Sequence, residues 1–404
     1  MSPAATGSDT PRARRGSGSA IAIRASAFDS LWDRQAEWTR RLAMVREARS
    51  FLYQSVFYID HDAYGREMLD ALLEAQRRGV RVQLIIDTFG QRLGLVLMSR
   101  AQRRALAGAL GNLRDAGAVV TMYQPPRLVQ RILGGGHHVK IQVSDRGEAI
   151  FSSGNITRSS FEEWNEYAVA VRGPVVPVLL ESCRLIGGQV ADDDLASLAV
   201  LAATERADLP LDYWFCNPNL HQGAAGVLHW RGSNLVTDRM IEMVDAATRS
   251  LRITSFYFKP VEPLMAAVVR AAARGVDVEI FHSHPDALPA TDLPWIGAAG
   301  SYRRLLAAGA RIFENRHGEH SKIVLVDDEW AACGSYNFED AAHERLAEAM
   351  LASRDPRMVA PARDIIAGLR RDPDLVPVTA DTVRQWPTRV RRRVRRYGWL
   401  KRWI

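Results

Sequence analysis

Apolar residues recur at the spacing of an α-helix in the first quarter of the chain. Between residues 64 and 78 the apolar positions include Met68, Leu69, Leu72 and Leu73. The pattern stops at Gly79, a residue suited to the left-handed position that ends many helices. The next stretch, VRVQLIID, alternates and is rich in β-branched residues. It therefore predicts a strand after the helix.

A hairpin pattern follows in KIQVSDRGEAIFSSG, which has strand-like residues on both sides of a turn at Arg146 and Gly147. Each half of the chain contains a helix, strand, helix, strand, helix and strand, followed by such a hairpin. We therefore predict an α/β fold in which helices flank a mixed β-sheet.

The polar residues around this hairpin occur twice. Matched residues are separated by 182 positions. The pairs are His138 and His320, Lys140 and Lys322, Asp145 and Asp327, Ser153 and Ser335, Asn155 and Asn337, and Glu166 and Glu348. Chance rarely aligns so many polar positions, so the pattern indicates a duplicated unit. Upstream, Ser55 matches Ser255 at an offset of 200, which places small insertions or deletions in loops.

The duplication divides the chain into segments. They are a disordered basic tail (1–24), a first lobe (25–185), a less regular connector (186–225), a second lobe (226–372) and a basic amphipathic tail (373–404). The two lobes are expected to be related by a pseudo-twofold axis and to share one active site.

Positive charge is concentrated at the two ends. The net charge is +7, of which residues 384–404 contribute +9 and residues 1–24 contribute +3, so the body carries −5. Proteins that track nucleic acid spread basic residues along a binding face, so nucleic acid is not the expected partner. The sequence contains no apolar run of about twenty residues, so no transmembrane helix is predicted. Three widely spaced cysteines argue against a disulfide framework or a zinc site.

The last segment, TRVRRRVRRYGWLKRWI, has helical periodicity in its apolar residues, with arginines elsewhere. This pattern favours an amphipathic helix on an anionic membrane surface over a solvated tail or a nucleic-acid contact. The expected membrane contacts are Trp386, Arg392, Arg393, Arg396, Trp399 and Trp403. Trp295 is either a second insertion point or a core residue.

Two copies of His, Lys and Asn could form one site for a phosphodiester. Lysines and asparagines would bind the non-bridging oxygens. One histidine would attack phosphorus, and the other would transfer protons to and from oxygen. Glu166 and Glu348 could each orient a histidine ring. This chemistry needs no metal and no cofactor.

The spacing H-x-K-x4-D, followed by a Gly/Ser-rich turn and Asn, resembles the HKD motif of the phospholipase D superfamily. The resemblance covers most of the chain and implies a two-lobed α/β fold and ping-pong phosphatidyl transfer. It further implies that His138 is the nucleophile and His320 the acid/base. Asp145, Asp327, Ser153 and Ser335 are expected to support the site.

Within the superfamily the chain is most similar to bacterial cardiolipin synthases that lack transmembrane helices. That similarity implies transfer of a phosphatidyl group to phosphatidylglycerol by a peripheral enzyme on the cytoplasmic face of the inner membrane. The alternatives are a hydrolase acting on phospholipids or nucleic acid, and a non-catalytic membrane-binding protein. The donor, the acceptor and the oligomeric state stay open.

Some residues depart from the repeat. Ser152 stands where the second copy has Gly334. His137 has no counterpart histidine and is expected to be structural or exposed in a loop. His282 and His284 are also unmatched, and cavity lining is the less favoured role for them. The glycines at 134–136 are expected to form a flexible approach to the site.

Overall fold

The structure is a computed structural model that describes residues 18–220 and 234–401. In chain order its strands are β1 Gly18–Ala25, β2 Ala27–Leu31, β3 Phe51–Val56, β4 Arg81–Asp87, β5 Val119–Tyr123, β6 Gly136–His137, β7 Lys140–Ser144, β8 Glu148–Ser152, β9 Ala168–Arg172, β10 Leu209–Cys216, β11 Ser250–Ser255, β12 Phe258–Lys259, β13 Asp277–Ser283, β14 Arg311–Asn315, β15 Ile323–Val326, β16 Trp330–Gly334, β17 Phe338–Glu339, β18 Leu346–Ser353 and β19 Leu375–Val378. Its α-helices are α1 Arg34–Glu47, α2 Ala63–Arg77, α3 Thr88–Leu97, α4 Arg100–Asp115, α5 Leu128–Ile132, α6 Val175–Leu185, α7 Asp192–Ala203, α8 Leu235–Asp245, α9 Glu262–Ala273, α10 Leu293–Ala299, α11 Tyr302–Ala307, α12 Asp340–Glu344, α13 Pro356–Leu369, α14 Ala380–Gln385 and α15 Thr388–Tyr397.

The first lobe is built on a seven-stranded sheet with the order β2-β9-β8-β7-β3-β4-β5. Strands β3, β4 and β5 are parallel, whereas β7 is antiparallel to β3 and forms a hairpin with β8. Parallel neighbours require crossover connections, which here contain α2 and then α3 and α4. The predicted α/β fold with helices around mixed sheets is confirmed.

The second lobe repeats this plan in a larger sheet. Its order is β1-β10-β18-β16-β15-β11-β13-β14-β19, and β6 also pairs with β18. Strands β11, β13 and β14 are parallel, and β15 and β16 form the hairpin. Because β6 comes from the first repeat, its pairing with β18 joins the two lobes directly before the first motif.

The strand register corrects one part of the predicted alignment. Leu52 of β3 pairs with Ser144, and Leu251 of β11 pairs with Val326. Since Ser144 and Val326 are 182 residues apart, β3 and β11 match at an offset of 199, not the 200 inferred from two serines. A slip of one residue reverses the two faces of a strand, so the difference changes which residues approach the motif.

An apolar core is shared by the two lobes. It contains Phe151 and Leu325 from the two hairpins, together with Leu179 of α6 and Ile366 of α13. Close packing of these groups resists relative movement. The lobes therefore hold the two motifs in a defined arrangement.

The predicted segment boundaries differ from the structure in two places. Residues 18–24, expected in a disordered tail, belong to β1, which pairs antiparallel with β10. The connector at 186–225 contains α7 and β10 and is regular over most of its described part. Strand β10 also pairs with β18, so its backbone groups are paired on both sides, whereas β1 is the edge strand of the sheet.

The C-terminal segment forms the predicted helix, but its apolar side faces the protein. Val390, Val394 and Tyr397 of α15 pack against the apolar core of the second lobe. Trp386 packs there too, with its ring centroid 5.5 Å from that of Trp295. Trp386 and this apolar face are half-buried against the second lobe, so less of their surface is open to a bilayer than the sequence pattern suggested. The membrane contact of Trp386 stays a prediction.

The basic side of α15 is arranged differently. Arg392 and Arg396 are exposed, whereas Arg393 donates a hydrogen bond of 2.6 Å to Asp292. Trp403 and the side chain of Trp399 lie outside the described residues. The structure therefore leaves arginine charge, and not an apolar stripe, on the outer face of this helix.

Candidate active site

The two motif loops meet in a cavity of about 420 Å³ between the lobes. His138 lies between β6 and β7, and His320 lies between β14 and β15. Both histidines line the cavity, together with Asn155 and Asn337. The structure thus brings together four side chains that the sequence singled out at separations of 182 residues.

The motif lysines lie directly behind the histidines. His138 precedes β7 and is not part of the strand that begins at Lys140. Instead, Lys140 Nζ donates to the carbonyl oxygen of His138 at 2.9 Å, and Lys322 donates to that of His320. Burial, followed by repulsion from Lys322, lowers the pKa of Lys140 well below its usual range. Burial lowers the pKa of Lys322 to about 8, and an anion near both groups would favour their charged forms.

Each glutamate contacts the histidine of the other repeat. Both carboxylate oxygens of Glu166 lie 2.8 Å from Nδ1 of His320. Burial alone would raise the pKa of Glu166, but the positive charge of His320 and Lys322 outweighs it and lowers the pKa to about 2. An ionised Glu166 therefore accepts the Nδ1 hydrogen and leaves Nε2 of His320 for chemistry.

His138 is held in a different way. Its Nδ1 lies 2.9 Å from the carbonyl oxygen of Ser335. A carbonyl only accepts hydrogen bonds, so Nδ1 carries the proton and Nε2 the lone pair. Glu348 Oε1 is 3.2 Å from the same Nδ1, but burial raises the pKa of Glu348 well above its usual range. Burial and nearby lysines lower the pKa of His138 well below its usual range, so its ring is neutral.

Of the residues expected to support the site, the serines contact its glutamates, whereas the aspartates lie at the hairpin turns. Ser153 donates to Glu166, and Ser335 donates to Glu348. Asp145 accepts the backbone N–H of Ser50 at 2.8 Å, and Asp327 accepts that of Ser250 at 2.7 Å. The serines orient the glutamates, while the aspartates attach each hairpin turn to the start of a parallel strand.

Aromatic residues that the sequence analysis did not single out surround the histidines. The ring centroid of Phe57 is 4.8 Å from that of His138, in an edge-on arrangement. Phe256 makes the same contact with His320 at 4.6 Å, and Trp164 lies 5.3 Å from His320. An alignment at the correct offset of 199 pairs Phe57 with Phe256, so this signal was present in the sequence.

The serine that departs from the repeat has its own partners. Ser152 Oγ donates to the buried Glu37 at 3.2 Å and accepts the backbone N–H of Gly154 at 2.9 Å. At Gly334, by contrast, a Cβ atom would lie 2.3 Å from the carbonyl oxygen of Ala349. Only the first repeat therefore has space and hydrogen-bond partners for a serine at this position.

His137 and its counterpart Glu319 are both buried beside the site. Neither ring nitrogen of His137 has a hydrogen-bond partner among the described residues, and burial with the Lys140 charge lowers its pKa to about 3. Glu319 accepts a hydrogen bond of 3.1 Å from Asn165, and burial raises its pKa to about 8. The alternative that His137 is exposed in a loop is wrong.

The two unmatched histidines and the tryptophan named in the sequence analysis lie in the core or beside it. His282 is buried and hydrogen-bonded to the hydroxyl of Tyr302 at 2.7 Å. His284 is half-buried next to the 3₁₀-helical turn Pro285–Ala287. Trp295 is buried and donates to Glu314 at 2.6 Å, which makes it a core residue and not an insertion point.

The three glycines before the first motif are tightly packed and do not form the flexible approach that was expected. The N–H of Gly135 donates to the carbonyl of Gln130 at 2.7 Å, and that of Gly136 to the carbonyl of Arg345 at 3.0 Å. A Cβ atom at Gly136 would lie 2.4 Å from the carboxylate of Asp87. The absence of side chains here permits close approach of β6 to its neighbours.

One group of side chains in the described ranges has the spacing of cation ligands, namely His317, Asp372 and Asp374. It includes no residue of the paired motifs. The groups that line the cavity are instead histidines and asparagines backed by lysines, a set suited to an anionic phosphodiester.

Comparison with known proteins places this site in a family. The family model for "Cardiolipin synthase, PLD-like domain" matches residues 42–181 and 240–369. Cardiolipin synthase B of Salmonella typhimurium is 27% identical over 347 residues, which cover 80% of this chain and 76% of that protein. Cardiolipin synthase A of Pseudomonas syringae is 29% identical over 323 residues, which cover 77% and 61%.

Among solved structures, phosphatidylserine synthase of Haemophilus influenzae superposes with a TM-score of 0.70 at 15% identity, over 95% of this chain and 97% of that one. This likeness shows a shared fold. The family model spans both repeats and more than half of the chain. The chain therefore belongs to the cardiolipin synthase family with phospholipase D-like domains, as the paired motifs predicted.

Proposed function

We propose that this protein is a phospholipid phosphatidyltransferase that makes cardiolipin from phosphatidylglycerol through a covalent phosphohistidine. One observation carries the proposal. The cavity holds a neutral histidine and a carboxylate-paired histidine, backed by two buried lysines. The relatives named cardiolipin synthase support the choice of substrate.

In the first half-reaction, Nε2 of His138 attacks phosphorus of the donor lipid and forms an N–P bond. The bond from phosphorus to the leaving glycerol oxygen breaks, and His320 donates its proton to that oxygen. Burial lowers the pKa of His320 to about 4, although Glu166 opposes this shift. An anionic phosphodiester adds negative charge beside the ring and so favours the protonated form that the step needs.

In the second half-reaction, His320 removes a proton from a hydroxyl of phosphatidylglycerol. The resulting oxygen attacks the phosphohistidine, the N–P bond breaks, and His138 is released. Lys140 and Lys322 offset the charge that develops on the non-bridging oxygens in both steps. Attack by water instead would yield phosphatidic acid, which is the hydrolase alternative.

The walls of the cavity suit a lipid better than a nucleic acid. Apolar side chains at its mouth include Leu93, Val96 and Leu97 from the first lobe and Pro289 and Pro294 from the second. Within the described ranges, no helix has the length and apolar character needed to cross a bilayer. We propose that the enzyme acts as a peripheral protein on the cytoplasmic face of the inner membrane.

The test is incubation of the purified protein with vesicles of phosphatidylglycerol, followed by mass spectrometry of the lipids and assay of glycerol. Cardiolipin and glycerol in equal amounts are expected. Phosphatidic acid without cardiolipin would instead identify a hydrolase. No turnover of phosphatidylglycerol or of any other phosphodiester would support the non-catalytic alternative.

A further inference from the structure

Large apolar side chains are exposed on two short stretches of the first lobe. Of the eight large apolar residues that are exposed in the described ranges, six lie on α3 and α5. They are Leu93, Val96, Leu97, Leu128, Val129 and Ile132, which we call the apolar ridge. Single exposed apolar residues are ordinary, but a concentration of this kind marks an interaction surface.

The ridge continues into the mouth of the active site. Leu93, Val96 and Leu97 are exposed and also line the cavity that contains His138 and His320. The loop after α5 contacts α3, because Gly134 in that loop packs against the ring of Phe89 near the start of α3. The α3 part of the ridge therefore borders the cavity that a ligand would enter.

The chain segment that carries the ridge is mostly basic. Residues 88–133 contain seven arginines and a single acidic residue, Asp115. Asp115 is the last residue of α4, a helix of sixteen residues that is about 24 Å long by helix geometry. Since α4 begins just after α3, Asp115 lies far from the end of α3. Arg92 and Arg131 lie on α3 and α5 themselves and are exposed. Apolar side chains beside exposed arginines fit the boundary between headgroups and acyl chains of an anionic bilayer.

We infer that the apolar ridge is the surface by which this protein docks on an anionic phospholipid bilayer. The inference rests on the proposed function in its choice of a lipid partner. Docking here places the cavity mouth against the membrane, so a lipid can reach His138 without leaving the apolar phase completely. The C-terminal helix α15 is the rival surface, but Val390, Val394 and Tyr397 on its apolar side pack against the second lobe, whereas the residues of the ridge are exposed.

A matched pair of substitutions tests the ridge. Ile132 is 73% exposed on α5, and Val200 is 69% exposed on α7, and neither lines the cavity. Ile132→Glu and Val200→Glu are prepared with and without His138→Ala, which prevents turnover during binding. Binding to vesicles of phosphatidylcholine and phosphatidylglycerol is measured by cosedimentation.

We expect Ile132→Glu to weaken vesicle binding by about tenfold or more, and Val200→Glu to change it by less than about twofold. The triple variant Leu128→Ser/Val129→Ser/Ile132→Ser should also lose binding, without any added charge. Equal binding by the two glutamate variants, or loss of binding only when the arginines of α15 are changed to glutamine, would overturn the inference.

Turnover of short-chain phosphatidylglycerol below its micelle concentration separates this inference from the proposed function. With His138 intact, the ridge variants should convert this soluble lipid at the wild-type rate, which also shows that they are folded. If the wild-type protein binds vesicles through the ridge but converts no soluble lipid, the proposed function fails and the docking surface stands. If conversion proceeds but the wild-type protein does not bind vesicles, the docking surface fails.

Discussion

The first lobe supplies a histidine whose Nδ1 hydrogen is held by a backbone carbonyl, whereas the histidine of the second lobe is held by a carboxylate. His138 contacts Ser335 at 2.9 Å, and His320 contacts both oxygens of Glu166 at 2.8 Å. The carboxylate favours a charged ring on His320, and the carbonyl leaves His138 neutral. A duplicated motif has thus acquired two different environments, which suit the acid/base and the nucleophile of the proposed mechanism.

The two glutamates, each of which contacts the histidine of the other repeat, also differ. Positive charge outweighs burial at Glu166 and lowers its pKa to about 2, whereas burial raises the pKa of Glu348 well above its usual range. The surroundings differ as well, because the first lobe carries the apolar ridge and the second lobe is covered by α15. Each difference between the lobes can be tested by making the same substitution on both sides.

The largest expected effect comes from the histidines. His138→Ala and His320→Ala should each reduce cardiolipin formation by about 10⁴-fold or more. With an activated diester such as bis(p-nitrophenyl) phosphate, whose leaving group needs no proton, His320→Ala should still form a phosphohistidine, and His138→Ala should not. Mass spectrometry of the peptides checks this. An adduct on His320 in the His138→Ala variant would reverse the assigned roles.

The glutamates should differ by a smaller factor. Glu166→Gln removes the charge that favours protonated His320, so kcat should fall by about a thousandfold. Burial raises the pKa of Glu348 and so favours its protonated form, which a glutamine resembles in charge and shape. In Glu348→Gln, kcat should therefore fall by less than about tenfold. Steady-state kinetics on phosphatidylglycerol, with circular dichroism to check folding, measures both. Equal losses would contradict the difference in ionisation.

A comparison of stability follows from the departure at Ser152. Gly334→Ser places a Cβ against the carbonyl of Ala349 and should lower the free energy of unfolding by about 3 kcal/mol. Ser152→Gly loses hydrogen bonds to Glu37 and Gly154 and should cost about 1 kcal/mol. Urea denaturation of the two variants gives these values. A larger loss for Ser152→Gly than for Gly334→Ser would contradict the tighter packing inferred at Gly334.

The smallest effect concerns pH. The pKa of Lys322 is lowered to about 8 by burial, and its charged form is the one that binds phosphate. Its charge is therefore lost as pH rises through that value, and kcat/KM should fall about tenfold for each unit above it. Lys322→Arg should shift or remove this alkaline limb, since arginine stays charged. An unchanged limb in that variant would assign it to another group, for example Glu319.

Much of the fold and part of the site were predictable from the sequence. The α/β class and the two hairpins follow from periodicity, and the pairs at 182 residues place equivalent groups in each lobe. The offset of 200 failed because a single matched serine cannot define strand register, whereas backbone pairing can. Phe57 and Phe256 were missed for the same reason.

The C-terminal helix shows a different limit of sequence reasoning. Its apolar and basic faces were predicted, but periodicity does not say which surface covers an apolar stripe. Val390, Val394 and Tyr397 are covered by the second lobe, while the ridge on α3 and α5 has no such cover in the described residues. A short apolar stretch such as residues 128–132 has too few turns to show amphipathic periodicity.

The sequence by itself determined which side chains are candidates for the chemistry, because an internal repeat of His, Lys, Asn and Glu is visible without any structure. Only the tertiary structure decided which group contacts which. Glu166 contacts His320, and Glu348 lies beside His138, because the lobes pack face to face and each glutamate reaches the opposite motif. Burial in that interface then decided the charges, since desolvation and neighbouring lysines act through distances that the sequence does not contain.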